Sequence, residues 1–365
     1  MSKKKVVLEG SINTLDKAVL KDLLSFKNPG YQPRPMDYIP TASHMLNYVT
    51  RGGIPRGKTS AIVGPTGGGK TTLALVAAKG AQDAGGTVLW MDMEDSFPLQ
   101  NAQMIGIDMN RIVVVNQHIS GEEAFHILGA AIEQEIDLVV WDSVADTAWQ
   151  AELEAAPEDA IMMIAARKWA ERSKALRYQL KKYRQTAILF INQLRSTPDK
   201  YNPESEPGGK ALQYGYFLKM RTKKKAETAT EKGVTTIKVG VYTTKNKIAS
   251  KVESDEDREV VLRIQDGDMY LDPVLDMMPV AKELGVFTNK NGEPIVNGTW
   301  HFDGRPIGKS KDEVIALLSQ DDELFEQVNE RMHHFTKTMA GSAAFSKAAD
   351  TTADEGESYD PNGPE

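Results

Sequence analysis

Thr59-Ser-Ala-Ile-Val63, continued by Gly64-Pro65-Thr66-Gly67-Gly68-Gly69-Lys70-Thr71-Thr72, is the stretch whose reading decides the fold. Residues 59–63 carry no charge and read as a short buried strand. The glycines release the backbone into a turn, and residues 71–81, rich in Ala and Leu, read as a helix. Strand, glycine turn, Lys-Thr and helix, in that order, match the phosphate-loop pattern G-x-x-x-x-G-K-[ST]. Glycine lets successive N–H groups turn inward around phosphate oxygens. The helix N-terminus adds partial positive charge and donors that lack intrahelical partners. Lys70 is placed for β- and γ-phosphates, and Thr71 for Mg2+. A mere glycine-rich turn would leave Lys70, Thr71 and the helix unexplained.

Outward from this loop, strand and helix patterns alternate. Strands are expected at 87–91, 111–115, 138–141 and 186–191, and helices at 121–134 and 160–183. The strands are almost wholly apolar, as parallel strands covered by helices on both faces are. The expected fold is therefore α/β, a mostly parallel twisted sheet flanked by helices. Residues 235–241 and 259–264 read as later antiparallel strands. A small C-terminal α+β domain is expected from residue 272, with helices at 276–285 and 311–332 around a strand-like piece at 298–302.

Polar residues at strand ends supply the remaining candidates. Asp142 ends the apolar run Leu138-Val-Val-Trp-Asp142 and is placed to hold the magnesium shell with Thr71. Glu94 follows Leu89-Trp-Met-Asp92-Met, at the sheet edge where α/β ligands bind. It is the candidate for activating water, with Asp92 and Asp95 as rivals that spacing does not separate. Gln193 ends the strand Phe190-Ile-Asn192-Gln193 and is either a γ-phosphate sensor or an ordinary strand-end amide. Residues 194–209 show no apolar periodicity and are long for a connection. They carry Arg195, Lys200 and Tyr201 and end in Gly208-Gly209-Lys210. An aromatic among bases suits single-stranded DNA; a solvated loop is the plain alternative. Residues 219–225 form a basic run close by.

Composition bounds these readings. Of 365 residues 41% are hydrophobic and 26% charged, enough for a real core and, by length, about two domains. The absence of cysteine excludes disulfides, thiolate metal sites and cysteine nucleophiles. No apolar run approaches the ~18 residues of a membrane span, and the N-terminus lacks a secretory apolar stretch. A cytoplasmic protein is the expectation. The net charge of -7 argues against a DNA partner only as an average. Residues 195–251 hold thirteen bases and five acids, whereas residues 321–365 hold three bases and eleven acids. The end of the chain reads as an acidic, disordered tail.

Taken in order, these motifs resemble the bacterial RecA recombinases. The resemblance spans about residues 36–335. It is carried by Thr41-Ala-Ser, the phosphate loop, Asp92-Met-Glu94, Asp142-Ser-Val-Ala145, Phe190-Ile-Asn-Gln-Leu-Arg195, Asn202-Pro-Glu, Gly208-Gly-Lys-Ala-Leu212, Lys245-Asn-Lys-Ile-Ala249 and Trp300-His-Phe-Asp-Gly-Arg-Pro-Ile-Gly308. It implies a DNA-dependent ATPase using ATP and Mg2+. Such proteins form a helical filament of identical subunits on single-stranded DNA and exchange strands with homologous double-stranded DNA. Glu94 then matches the catalytic carboxylate and Gln193 the γ-phosphate sensor. Lys245 and Lys247 match lysines that reach ATP on the neighbouring subunit. Asn101 stands where the family often has an adenine-stacking tyrosine. Residues 154–163, with Met162, match a first DNA loop, and residues 194–209 a second. Arg167, Lys174, Arg195, Gly208, Gly209 and Lys210 fall on DNA-contacting positions, with Tyr201 near an inserted side chain. Lys223 and Lys224 fall near a second, duplex-holding site. The organisation implied is an N-terminal helical oligomerisation segment (1–35), an ATPase core (36–271), a small C-terminal domain (272–335) and the tail (336–365). The N-terminal helix is expected within residues 12–26. A hexameric replicative helicase with the same core, and a regulator or loader keeping the loop as a switch, are the alternatives.

Overall fold

The structure is a computed structural model. It describes residues 36–353, apart from 117, 155–160, 199, 201–203, 230–233, 248–257 and 266–267, together with two short strands nearer the N-terminus. Side chains at 5–6, 15–16, 161–162, 224–229, 265, 268–269 and 339–353 are not described. The chain divides into two compact units, 1–35 and 36–365. In the first, β1 (Lys5–Val6) pairs antiparallel with β2 (Leu15–Asp16). The helix expected over 12–26 therefore does not include Leu15 and Asp16, whose backbone groups are taken up across the strand pair; the rest of that segment lies outside the described residues.

The second unit begins with β3 (Tyr38–Ile39), α1 (His44–Thr50) and β4 (Ile54–Pro55), the two strands pairing as a short antiparallel ribbon. Then β5 (Thr59–Gly64), α2 (Lys70–Asp83), β6 (Val88–Asp92), α3 (Leu99–Met104), β7 (Ile112–Val115), α4 (Gly121–Glu133) and β8 (Leu138–Asp142) follow in strict alternation. Two helices, α5 (Gln150–Leu153) and α6 (Ile161–Lys182), lead to β9 (Ala187–Gln193). A small ribbon, β10 (Arg195–Ser196) with β11 (Glu204–Ser205), lies inside the stretch expected to be structureless, before α7 (Gly209–Gly215). Four strands complete the sheet: β12 (Leu218–Ala229), β13 (Thr235–Asn246), β14 (Glu259–Gln265) and β15 (Asp268–Leu271). The C-terminal elements are α8 (Pro273–Glu283), β16 (Trp300–Phe302), β17 (Arg305–Gly308), α9 (Lys311–Leu318) and α10 (Asp322–Ala353).

Nine strands form one sheet in the order β15-β14-β13-β12-β5-β9-β8-β6-β7, parallel from β12 to β7 and antiparallel beyond. Each parallel strand splits its side chains between two cores, because successive residues point to opposite faces. Ile62, Trp90, Leu138, Val140, Leu189 and Ile191 join the core under α2. Ala61, Val63, Leu89, Met91, Val139, Trp141, Ile188 and Phe190 join the other. This two-sided burial is why the strands are apolar throughout. The second core is aromatic: Trp141, Trp149, Trp169 and Phe125 meet at ring separations of 5.1–6.0 Å.

The first core continues without a break into the C-terminal elements through Met277, Phe287, Trp300, Ile307, Val314, Val328 and Met332. The helix expected at 311–332 is two, α9 and α10. Leu324 N donates to the side chain of Asp321 (2.9 Å), which starts a new helix at that point. The second helix then runs on to Ala353, past the start of the stretch expected as tail, through alanine-rich sequence with high helix propensity. Residues 354–365 lie outside the described residues. No helix of the described residues is long and apolar enough to cross a membrane.

Candidate functional site

The carboxyl ends of β5, β6, β8 and β9 lie side by side in the sheet and bring the strand-end candidates together. Register fixes this: Gly64 is paired with Gln193, and Asp92 with Asp142. Met93 N donates to Asp142 O (2.6 Å) and Leu194 N to Gly64 O (3.0 Å), so the ends stay joined just past the ladder.

From β5 the chain enters the loop Gly64–Thr71 and then α2. Gly67 and Gly69 are left-handed, at φ 69° and 80°. No side chain caps the N-terminus of α2, which leaves its first turn to an anion. Ile237, Val239 and Leu262 close a hollow of about 340 Å³ beside Gly67 to Thr72. Asn101, on α3, does not line it. Lys70 is buried, and its Nζ donates to Pro65 O (2.9 Å). Burial lowers its pKa.

Thr71 Oγ1 donates to Asp142 Oδ2 (3.1 Å). Asp142 Oδ1 is buried with no partner. Burial pushes this carboxyl up to about 7, and the Glu94 carboxylate adds to the effect. A buried acid with an idle oxygen, next to a threonine hydroxyl and a phosphate loop, suits a hydrated divalent cation shared with phosphate oxygens. Among the described residues no cluster of three His, Asp or Glu forms a cation cage by itself.

Geometry separates the three acids left open by sequence. Asp92 Oδ2 accepts from Ser96 N (2.8 Å) and Phe97 N (2.7 Å), so it builds the turn. Asp95 is exposed, with its backbone at φ 51°. Glu94 is half-buried and faces the site, its Oε1 accepting from Gln193 Nε2 (3.0 Å).

The DNA candidates are dispersed around this edge. Gly208 and Gly209 are both left-handed (φ 86° and 78°) and open α7. A Cβ on Gly208 would meet Val144 Cγ1 at 2.9 Å, and one on Gly209 would meet Ala166 Cβ at 3.1 Å. The end of the second loop is thus seated between the chain just past β8 and helix α6. Arg167 and Lys174 are exposed on that helix, and Lys174 lines a groove against α4. Met162 stands in its first turn, with its side chain outside the described set. Arg195 and Lys210 are exposed. Tyr201 lies outside the described residues. Lys223 and Lys224 are within β12, so the basic run 219–225 lies along a strand; Lys223 is exposed.

Lys245 lies near the end of β13, paired with Lys219, and Lys247 follows just beyond the strand. Lys245 Nζ donates to Gln213 O (3.2 Å) and Tyr214 O (2.9 Å), in the last turn of α7. Burial, with Lys247, Lys219 and Arg177 nearby, lowers its pKa. Two acid–base pairs escaped sequence reading, Glu206 with Lys219 and Glu204 with Arg221. Only the fold of the second loop over β12 brings them together.

A family model described as the RecA N-terminal domain matches residues 7–261. The chain belongs to the RecA family. Its function is that of a RecA recombinase. Protein RecA of Ureaplasma parvum serovar 3 is 33% identical over 304 residues, 81% of this chain and 86% of that protein. Protein RecA of Thermus aquaticus is 32% identical over 336 residues, 90% and 94% of the two chains. Protein RecA of Aquifex aeolicus is 28% identical over 362 residues, 98% and 99% of the two. RecA proteins as a family are DNA-dependent ATPases that use Mg2+ and assemble on DNA.

Proposed function

We propose that this RecA-family chain is a DNA-stimulated ATPase that forms a helical filament on single-stranded DNA and pairs it with homologous duplex. The observation that carries the reading is the meeting of Lys70, Thr71, Asp142, Glu94 and Gln193 at one sheet edge, with Gln193 leading directly into the loop 194–209. Residues 64–72 bind the triphosphate through backbone N–H groups and the Lys70 ammonium. Thr71 and Asp142 would hold Mg2+, which when bound neutralises phosphate charge. The low local dielectric that raises the Asp142 pKa also strengthens its attraction for a cation.

Glu94 orients a water and takes its proton as the water attacks the γ-phosphorus. Gln193 holds the Glu94 carboxylate and lies in reach of the γ-phosphoryl group. Asn101, outside the hollow beside the loop, is assigned to the base by its matching position in the family alone. Lys245 and Lys247 serve the ATP of an adjoining subunit, in the manner of an arginine finger. Assembly has an available edge: among the described residues nothing pairs with the outer side of β7, and Val113 there is 61% exposed. Residues 1–35 provide the oligomerisation segment, and residues 272–335 the small C-terminal domain. Met162, Arg167, Lys174, Arg195, Tyr201, Gly208, Gly209 and Lys210 line the single-stranded DNA path, with Lys223 and Lys224 toward the duplex.

Phosphate release with and without single-stranded DNA tests the enzyme, and joint-molecule formation between homologous DNAs tests the recombinase. Lys70→Ala abolishes hydrolysis, and Glu94→Ala retains DNA binding without turnover. Hydrolysis indifferent to DNA would refute the reading. Closed rings in electron micrographs, in place of continuous filaments, would favour a translocating helicase.

A further inference from the structure

Thr222 stands on β12 one residue beyond Arg221, the last residue of that strand paired with β5. It is wholly buried, and its Oγ1 has no hydrogen-bond partner. Such a hydroxyl costs folding free energy that an apolar side chain of the same shape would not. Its place gives it a use. A Cβ on Gly64 would lie 2.3 Å from this oxygen, and one on Gly68 would lie 3.2 Å from it. Thr222 Oγ1 therefore lies against Gly64, where the phosphate loop begins, and Gly68, in its middle.

The Gly68 position is also 2.8 Å from Pro65 O, so the carbonyl and the hydroxyl flank the same glycine. Pro65 O accepts from Gly68 N (3.1 Å) and from Lys70 Nζ (2.9 Å). The ammonium thus closes the loop on itself. In the nucleotide reading above, on which this inference rests, Lys70 turns to the β- and γ-phosphates, and Pro65 O then loses its charged donor. The Thr222 hydroxyl is an idle donor packed against that part of the loop. Val239, which also lies against the loop, has none to offer; its Cγ2 would lie 2.8 Å from a Cβ on Gly69.

We infer that Thr222 is a positioning residue of the nucleotide site, unpaired while Lys70 is bound to Pro65 O and donating to the loop backbone once Lys70 moves to the triphosphate. A buried hydroxyl kept for a partner that forms only on binding lowers the stability of the protein alone and raises its affinity for nucleotide. A structural hydroxyl would move both in the same direction.

The test compares Thr222→Val and Thr222→Ser with wild type, by calorimetric titration with MgADP and by thermal unfolding without nucleotide. Thr222→Val should unfold at or above the wild-type temperature yet bind MgADP about 2- to 10-fold more weakly, the span of one net hydrogen bond. Thr222→Ser should restore binding to within about 2-fold, because the hydroxyl rather than the methyl carries the effect. Wild-type binding by Thr222→Val overturns the inference, as does equal weakening in both variants. A lower unfolding temperature in Thr222→Val alone also overturns it, by showing the hydroxyl already bonded without nucleotide. If the valine variant does not fold, Thr222→Ala set against Thr222→Ser gives the same comparison. Failure of the wild type to bind MgADP would instead remove the ATPase reading itself, and this inference with it.

Discussion

Acidification from pH 6.5 to 4 should leave the junction of α1, α8 and α10 almost unaffected in the wild-type chain, and should reveal two opposed titrations when either group is removed. His44 opens α1 with its Nε2 on Asn329 Oδ1 (2.7 Å), its ring 5.0 Å from that of His333, and its Nδ1 buried without a partner. Asp83 on α2, Asp276 on α8 and Lys337 on α10 line the same cavity. Burial pushes the His44 pKa from 6.5 down to about 4, and His333 adds to the lowering. The folded state refuses a proton that the unfolded chain accepts. The stability this confers is present above pH 6.5 and is lost as pH falls toward 4. Asp276 is wholly buried, accepting from Ser43 Oγ (2.7 Å) and Met45 N (3.3 Å), and burial raises its carboxyl to about 7, with Asp272 adding a little. Here the folded state keeps a proton that the unfolded chain releases. That contribution is present below pH 3.8 and is lost as pH rises toward 7. Each slope is at most about 1.4 kcal/mol per pH unit, so between pH 4 and 6.5 each contributes about 3 kcal/mol of opposite sign. Denaturant unfolding across this range reads the balance. The stability of Asp276→Asn relative to wild type should rise by about 3 kcal/mol from pH 4 to 6.5, and that of His44→Gln should fall by about as much. Curves for both variants parallel to wild type would refute the argument.

Glu94→Gln should cut phosphate release by about 10²- to 10⁴-fold while MgADP binding changes little, because only the proton acceptor is lost; equal turnover by variant and wild type removes the role. Gly64→Ala sets a Cβ 2.3 Å from Thr222 Oγ1 and 3.0 Å from Thr222 O, and should cost about 1–3 kcal/mol by denaturant midpoint. Gly67→Ala meets nothing within 4 Å but sits at φ 69°, so its cost should stay near the left-handed backbone term of about 1–2 kcal/mol. Lys245→Ala should leave MgADP binding by dilute protein intact yet abolish DNA-stimulated turnover; full stimulation would confine Lys245 to capping α7. Glu206→Gln frees Lys219 and should steepen the salt dependence of single-stranded DNA binding by about 0.7 in log–log slope, one phosphate's worth; an unchanged slope places Lys219 off the DNA path.

What could be read in the sequence was local or periodic. The phosphate loop is legible because each of its requirements, glycine freedom, a cation and a helix start, is written within nine residues. The parallel strands are legible because two buried faces leave no polar position. What failed was what depends on distant chain. The break between α9 and α10 is hidden because Val314, Leu318, Leu324, Val328 and Met332 keep an apolar stripe across it, and only the cap at Asp321 reveals it. Asp92, Glu94 and Asp95 are alike in composition and spacing; backbone donors settle Asp92 as a turn builder. Ser43 and Asp276 are 233 residues apart. The unpaired state of Thr222 Oγ1 is a statement about space that no motif records.

The end of β9 shows how nucleotide and DNA can be linked without a long route. Consecutive strand residues face opposite ways. Gln193 reaches toward the phosphate loop and holds Glu94, with Thr66 Oγ1 3.5 Å from its Oε1. Asn192 faces the returning end of the second loop, where its Nδ2 donates to Pro207 O (2.9 Å). The loop is closed on itself by the β10–β11 ribbon, where Arg195 is paired with Ser205, and Glu206 and Glu204 fasten it to Lys219 and Arg221 on β12. A phosphate that draws on Gln193 therefore pulls on a peptide whose other neighbour grips the loop. Conversely, if DNA phosphates draw Lys219 and Arg221 away from Glu206 and Glu204, that grip loosens. Linkage makes the two effects equal: the factor by which ATP raises DNA affinity must be the factor by which DNA raises ATP affinity. Asn192→Ala, which removes the bond to Pro207 O, should lower both by the same factor.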